Sequence, residues 1–430
     1  MKYFRYLFLI LFFGLFFFMS GLTVSRHFFL GGTKFQGKEE MIIFLSTLLS
    51  DTIKSLQGIL ITGLFVENKQ DINPKQILIT GLFVEKKQDI NPKQFNVPGL
   101  YPYFTKEGWG ILDQGIKSSK FIPIQWEKLN ALTDNIKESD SRGMFVNGKY
   151  PLHPIKLGNN IIFSSGNHLC NYNFLKNSFQ VYAGIKLHHS IELVHDSLLY
   201  ACSYGLDTLP YLNDALLIFN IKKGKILLEK SISEILIENN YKGLLLGSKI
   251  IYSNWKLGND LLHLNDVQPI KQKTSFADPG DVLISLNANS TVFLYRPKTN
   301  KILWLRQGPW IHQHDVDVLS NDEIGIYNNN VLSGYGFYKN DVSNVITYNF
   351  KTNKYSTLHK STFEKYQIKS KTGSRFEILD NGNMFVEDSP SGAYYLIDSK
   401  GKLLARKSFP YKNNLTFTGG WARPYTSNPN

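Results

Sequence analysis

Cysteine is almost missing: Cys170 and Cys202 are the only two in 430 residues. That excludes a disulfide-dense small scaffold and any four-cysteine zinc site. Charge is sparse as well, at 19% of residues. The basic excess, 48 Lys+Arg against 35 Asp+Glu for a net +13, is spread thinly and forms no dense block. No helix-turn-helix or zinc-finger spacing accompanies it, so no nucleic-acid partner is expected. Beyond about residue 96, long helical periodicity is absent. What is plentiful is aromatic: 30 Phe and 23 Tyr, within an apolar share of 43%. Such a chain supports a sizeable core and favours strands over helices.

The chain reads as three parts: 1–27, 28–95 and 96–430. Residues 6–25 carry no charge and include LFLILFFGLFFFM; Lys2 and Arg5 precede them, Arg26 and His27 follow. Twenty uncharged residues are long enough for a helix to cross the roughly 30 Å of bilayer hydrocarbon. The leading positive charges predict a single-pass anchor with the bulk of the chain on the extracytoplasmic side. A cleaved signal peptide is the rival reading. Export would leave Cys170 and Cys202 to form one bridge or to remain two buried thiols.

Glu39 to Gln57 has the apolar rhythm of a helix, which could pack on the exported part or pair with another copy of the chain. Two near-identical copies of an 18-residue unit follow: ILITGLFVENKQDINPKQ at 59–76 and ILITGLFVEKKQDINPKQ at 77–94. The unit is too short and too faithfully repeated for a solenoid, and it reads as a linker insert without chemistry of its own.

From about Asn96, short apolar runs alternate with turns rich in Asn, Asp, Gly and Lys, the pattern of an all-β domain. A degenerate unit of alternating strands begins at His153, His189, His263, His314 and Arg375. Four antiparallel strands repeated radially make a β-propeller, and 96–150 could supply a sixth blade. An open sandwich is the structural alternative.

In a propeller the innermost strands converge on one axis. Histidines heading such strands could therefore meet despite their distance in sequence. His263 and Asn265, two apart, should share a face, and so should His312 and His314. His188 and His189 should point oppositely, so only His189 is expected to face the channel while His188 packs or meets solvent. His153 precedes a proline and reads as structural. His27, His168, His195 and His359 read as surface or loop residues.

The stretch LLHLNDVQPI…PGDVLISLNANSTVFLYRPKTNKILWLRQGPWIHQHDVDVLSNDEIGIYNNN (261–330) resembles the bacterial arylsulfotransferase family. The matching features are His-x-Asn, GDVLIS, a strand ending in KILW, Gln-His-Asp, and a strand ending in Asn. KLHHSIELV (186–194) and 376–404 are similar to flanking blades, and the resemblance extends over roughly 96–420. It implies an exported six-bladed propeller that needs neither a nucleotide sulfate donor nor any other cofactor or metal. It also implies a sulfuryl group passing from an aryl sulfate to a histidine and then to a phenol. His314 would be the nucleophile, His263 and Asn265 would steady the sulfuryl oxygens, and His189 would be the supporting acid/base. Asn287 stands where the family carries Arg; its amide can donate a hydrogen bond but brings no charge.

Two other functions fit the same residues. One is a non-catalytic envelope propeller that serves as a scaffold or binds a ligand. The other is a metal enzyme using His189, His263, His312 and His314, since imidazole suits zinc and copper.

Overall fold

A computed structural model describes residues 83–426, apart from residue 87 and the segments 106–107, 135–149, 206–212, 246–249, 252–255, 258–259, 333–335, 410–414 and 418. The chain divides into Met1–Ile72 and Asn73–Asn430. The anchor read at 6–25, the helix read at 39–57 and the first repeat copy lie outside the described residues. Among the described residues no helix is long and apolar enough to cross a membrane.

Six four-stranded antiparallel sheets follow one another, which is an all-β, six-bladed propeller. Blade 2 comprises Leu152–Leu157, Asn160–Ser165, His168–Asn173 and Ser178–Tyr182. Blade 3 comprises Leu187–Val194, Leu198–Tyr204, Asp214–Asn220 and Lys225–Ser231. Blade 4 runs through Leu264–Pro269, Val282–Leu286, Thr291–Arg296 and Lys301–Gln307. Blade 5 runs through Val316–Val318, Glu323–Asn328, Asn344–Asn349 and Lys354–Leu358. Blade 6 is Arg375–Ile378, Met384–Asp388, Ala393–Ile397 and Leu403–Ser408. In each the first-named strand is innermost. Tight turns close the hairpins. In blade 2, two-residue loops begin with Gly158 and Gly166 at φ 59° and 55°, a backbone that glycine adopts without steric cost.

Blade 1 is assembled from both ends of the chain. Gly99–Thr105, Gly108–Gln114 and Ser119–Pro123 form its outer part, and Arg423–Pro424 forms its innermost strand by pairing with Leu100 and Gly99. The core is correspondingly cut into six apolar clusters, one at each interface between adjacent blades. Tyr101 and Phe385, from blades 1 and 6, share the cluster that completes the ring.

Single side chains staple neighbouring inner strands. Ser190 Oγ accepts from Val267 N at 3.1 Å, Asp266 Oδ2 from Val316 N at 2.9 Å, and Asp315 Oδ2 from Phe376 N at 3.0 Å. Glu387 closes the ring by accepting from Trp421 N at 3.0 Å and Ala422 N at 2.6 Å. These bonds satisfy buried backbone donors that no ladder partner reaches.

The end of the second repeat copy lies along blades 6 and 1. Phe83–Glu85 pairs with Leu415–Phe417, and Ile90 exchanges backbone hydrogen bonds with Arg406 at 3.0 and 2.8 Å. Asp89 Oδ1 accepts from Ser408 N at 3.0 Å, and Lys86 pairs with Asp89 at 2.8 Å. Lys86 is the one position at which the two copies differ. Cys170 and Cys202 sit on different blades as buried free thiols, and burial raises both. The bridge that export would have permitted is not formed.

Candidate active site

At the head of each innermost strand, or just before it, one residue takes left-handed backbone: His153, His189, His263, His312, Ser374 and Trp421, with φ from 50° to 78°. Non-glycine residues adopt this conformation at a cost of about 1 kcal/mol. The ladder register shifts at the same place in blades 2, 3 and 4, so each strand opens on a bulge. A bulge re-aims side chains and interrupts the two-residue alternation. The simple face rule therefore does not carry across these positions.

Its failure is plainest at His188 and His189. With His189 at φ 50°, the two rings turn toward each other, Nδ1 to Nδ1 at 2.8 Å. His188 is buried, and its Nε2 meets Ser203 O at 3.1 Å and Asp214 Oδ1 at 3.4 Å. The Ser203 carbonyl can only accept, so Nε2 carries the proton. Burial drives His188 down to about 4, so near neutral pH its Nδ1 holds a lone pair. His189 Nδ1–H then donates to that lone pair, which leaves the His189 Nε2 lone pair unprotonated. Burial, with His263 next in weight, holds His189 well below its ordinary value.

The rings of three blades meet. His189 lies 5.0 Å from His263 and 6.3 Å from His314 between ring centroids, and His312 lies 5.9 Å from His314. The staples show which positions are equivalent. Ser190, Asp266 and Asp315 play one role, so His189, Asn265 and His314 match, while His263 and His312 stand two residues upstream. The sequence register had aligned His263 with His189 and His314.

Gln-His-Asp has a local logic. Gln313 is fully buried and donates to Leu286 O at 2.8 Å and Thr291 O at 3.1 Å, locking the chain to blade 4. Asp315 staples it to blade 6. His314 is held between them. Its Nδ1 donates to Asn329 Oδ1 at 2.8 Å, and its Nε2 accepts from the Gly373 N–H at 3.0 Å. Burial pushes His314 down to about 3, with His312 and His263 adding to the effect. It is a neutral imidazole at pH 7, with its lone pair on Nε2.

His263 turns Nδ1 onto the Asp260 carboxylate, which accepts its proton. Asn265 and Asn287 both aim Nδ2 at one acceptor, the Gln313 carbonyl, at 2.9 and 3.1 Å. The two amides expected to meet sulfuryl oxygens are thus committed to the backbone beside His314. His153, read as structural, is buried against Trp421 with ring centroids 4.3 Å apart. Among the described residues no group of three or more His, Cys, Asp or Glu side chains is placed to hold a metal ion.

Sequence reasoning missed His188 as a partner of His189, and it missed Asp260, Asn329 and Gly373 altogether. Asp260, three residues before His263, and the run Asn328-Asn329-Asn330 carry a weak signal in hindsight; Gly373 carries none. Further along the axis a separate cavity of about 250 Å³ is lined by Glu192, Gln268, Asp317, Arg375, Glu377 and Arg423 among others, and none of the candidate residues reaches it.

A family model described as arylsulfotransferase (ASST) matches residues 187–409, just over half of the chain and all of blades 3 to 6. No curated protein matches the chain. Among solved structures it is similar to the WD40 β-propeller domain of Doa1, with a TM-score of 0.40 and 9% identity over 81% of this chain and 96% of that one.

Proposed function

Because the chain belongs to the arylsulfotransferase (ASST) family, we propose that it moves a sulfuryl group from an aryl sulfate to a phenol by way of His314, on an exported propeller tethered by residues 6–25. The observation that carries this is the convergence of imidazoles from blades 3, 4 and 5, with His189 5.0 Å from His263 and 6.3 Å from His314.

His314 Nε2 attacks the sulfur of the aryl sulfate. The N–S bond forms as the S–O bond to the ring breaks, and the electron pair of that bond leaves on the phenolate oxygen. In the second half a phenol gives its proton to His189 while its oxygen attacks the same sulfur and the N–S bond breaks, and His189 passes that proton to the released phenolate. Covalent catalysis divides one hard transfer into two easier ones. A nucleophile that stays neutral near pH 7 meets the first requirement. Asp260, facing His263 Nδ1, fixes the orientation of that ring beside the other two. Asn265 and Asn287 hold the Gln313 carbonyl and so set the position of His314. Before attack, the Gly373 N–H must release Nε2.

A second reading is a non-catalytic propeller that binds aryl anions. Two observations favour it: Asn287, with Nδ2 committed to Gln313 O, occupies the place of the family Arg, and the His314 lone pair is capped. One experiment separates the two. The purified chain is incubated with 4-nitrophenyl sulfate and a phenol, nitrophenolate release is followed, and the peptide carrying His314 is weighed. The transferase reading expects release, together with a mass gain of one sulfuryl group that His314→Ala abolishes. Equal rates in wild type and variant, or no turnover in either, would sink it.

A further inference from the structure

We infer that Asn329 is the positioning residue for His314, fixing which ring nitrogen carries the proton and tying that ring to the Ser370–Ser374 turn.

Asn329 follows the second strand of blade 5 and is fully buried. Its Nδ2 donates to Ser370 O at 2.8 Å and Gly373 O at 3.0 Å. Two carbonyls consume both amide hydrogens, so the orientation of the amide is settled and Oδ1 alone faces His314 Nδ1, at 2.8 Å. Only the Nδ1–H form of the ring can donate there. From the opposite side the Gly373 N–H reaches Nε2 at 3.0 Å, and only a lone pair can receive it. Two independent contacts therefore demand one tautomer, the one whose Nε2 can act as a nucleophile.

The network behind Asn329 is closed. Ser343 Oγ donates to Asn329 O at 3.1 Å and accepts from Ser370 N at 2.9 Å. Ser370 Oγ donates to Asp388 Oδ1 at 2.9 Å and lies 2.8 Å from the Tyr327 hydroxyl. A buried and satisfied network of this kind holds its members in one arrangement. Without Asn329 the acceptor left near Nδ1 among the described residues is the His312 carbonyl, at a longer 3.3 Å. The turn would also lose its tie, and Gly373 would leave Nε2. The protonated-Nε2 form, which cannot attack sulfur, would then be populated.

The kinetic part of this inference rests on the proposed transfer reaction; the tautomer does not. The test uses the chain with ¹⁵N-labelled histidine, as wild type, Asn329→Ala and Asn329→Asp. Wild type should show His314 solely as Nδ1–H. The Ala variant should show a mixture of forms, with kcat on an aryl sulfate down about ten- to a hundredfold, short of the loss seen when a catalytic histidine is held wholly in the wrong tautomer, while KM for the donor changes far less. The Asp variant keeps an acceptor, so it should retain Nδ1–H and recover part of kcat. Its added charge should move the acid limb of kcat/KM to higher pH, a shift that a merely structural role would not produce. An Ala variant with the single wild-type tautomer and kcat within about twofold of wild type overturns the inference. Should that variant not fold, an Asp variant with protonated Nε2 does the same. If wild type shows no transfer, the transfer reading fails while the NMR comparison still decides the role of Asn329.

Discussion

Replacing Glu387 with Gln tests whether the ring is closed by one carboxylate. Glu387 is fully buried; Oε1 accepts from Trp421 N at 3.0 Å and Ser389 Oγ at 2.9 Å, while Oε2 accepts from Ala422 N at 2.6 Å. The substitution conserves shape and leaves the Oε1 contacts in place. At the Oε2 position an NH₂ would confront the Ala422 N–H, donor against donor, at a fully buried place. Each buried polar group left unmade costs about 1–3 kcal/mol. Two such groups are created, and relief from burying a carboxylate offsets part of the loss. The expected net destabilisation is about 2–4 kcal/mol, since relaxation of the strand recovers some of it. Urea unfolding of the two proteins gives the number directly, provided the denaturant slope stays unchanged. A difference below about 0.5 kcal/mol, the scatter of an inert surface change, would refute the idea that this carboxylate holds the C-terminal strand in blade 1.

Two further predictions concern the site and the leading segment. His314 is held near 3 by burial, so below its unfolded value of about 6.5 the unfolded chain takes a proton that the folded one refuses. Its contribution to stability is nil above that value and falls as pH drops toward the folded one. Wild type should therefore lose about 2 kcal/mol relative to His314→Gln between pH 7.5 and pH 5, and parallel stability curves in urea would disprove this. Ile90→Asp places a charge where Ile90 packs on the blade 5–6 core cluster. It should cost about 1–3 kcal/mol and release Phe83–Gln94 to protease while residues 99–424 stay intact; unchanged digestion would show that the backbone pairing alone suffices.

The all-β character was legible because alternating runs and Asn/Gly turns are local signals, and because five of the six inner strands begin near a chemically conspicuous residue. Blade 1 was obscure because its strands come from opposite ends of the chain. No local pattern shows that Arg423–Pro424 will pair with Gly99 and Leu100. The spacing between units was uneven because the helix Ile232–Glu238 and the hairpin 250–257 intervene between blades 3 and 4. Within the site, His189, His263 and His314 could be picked out because one residue type recurs at strand heads. His188 was misplaced because alternation presumes extended backbone, and His189 at φ 50° breaks it. Asp260, Asn329 and Gly373 reach the rings from connecting segments, where periodicity says nothing.

Six of the ten histidines, including three that ring the axis (His189, His263 and His312), hold φ between 48° and 58°. Asparagine or glycine would sit there more comfortably than imidazole does. Those three rings are thus held at the axis at a local backbone cost. Replacing His189, His263 or His312 with Asn or Gly should therefore relieve the backbone and make the fold sturdier, while emptying the axis of its imidazoles.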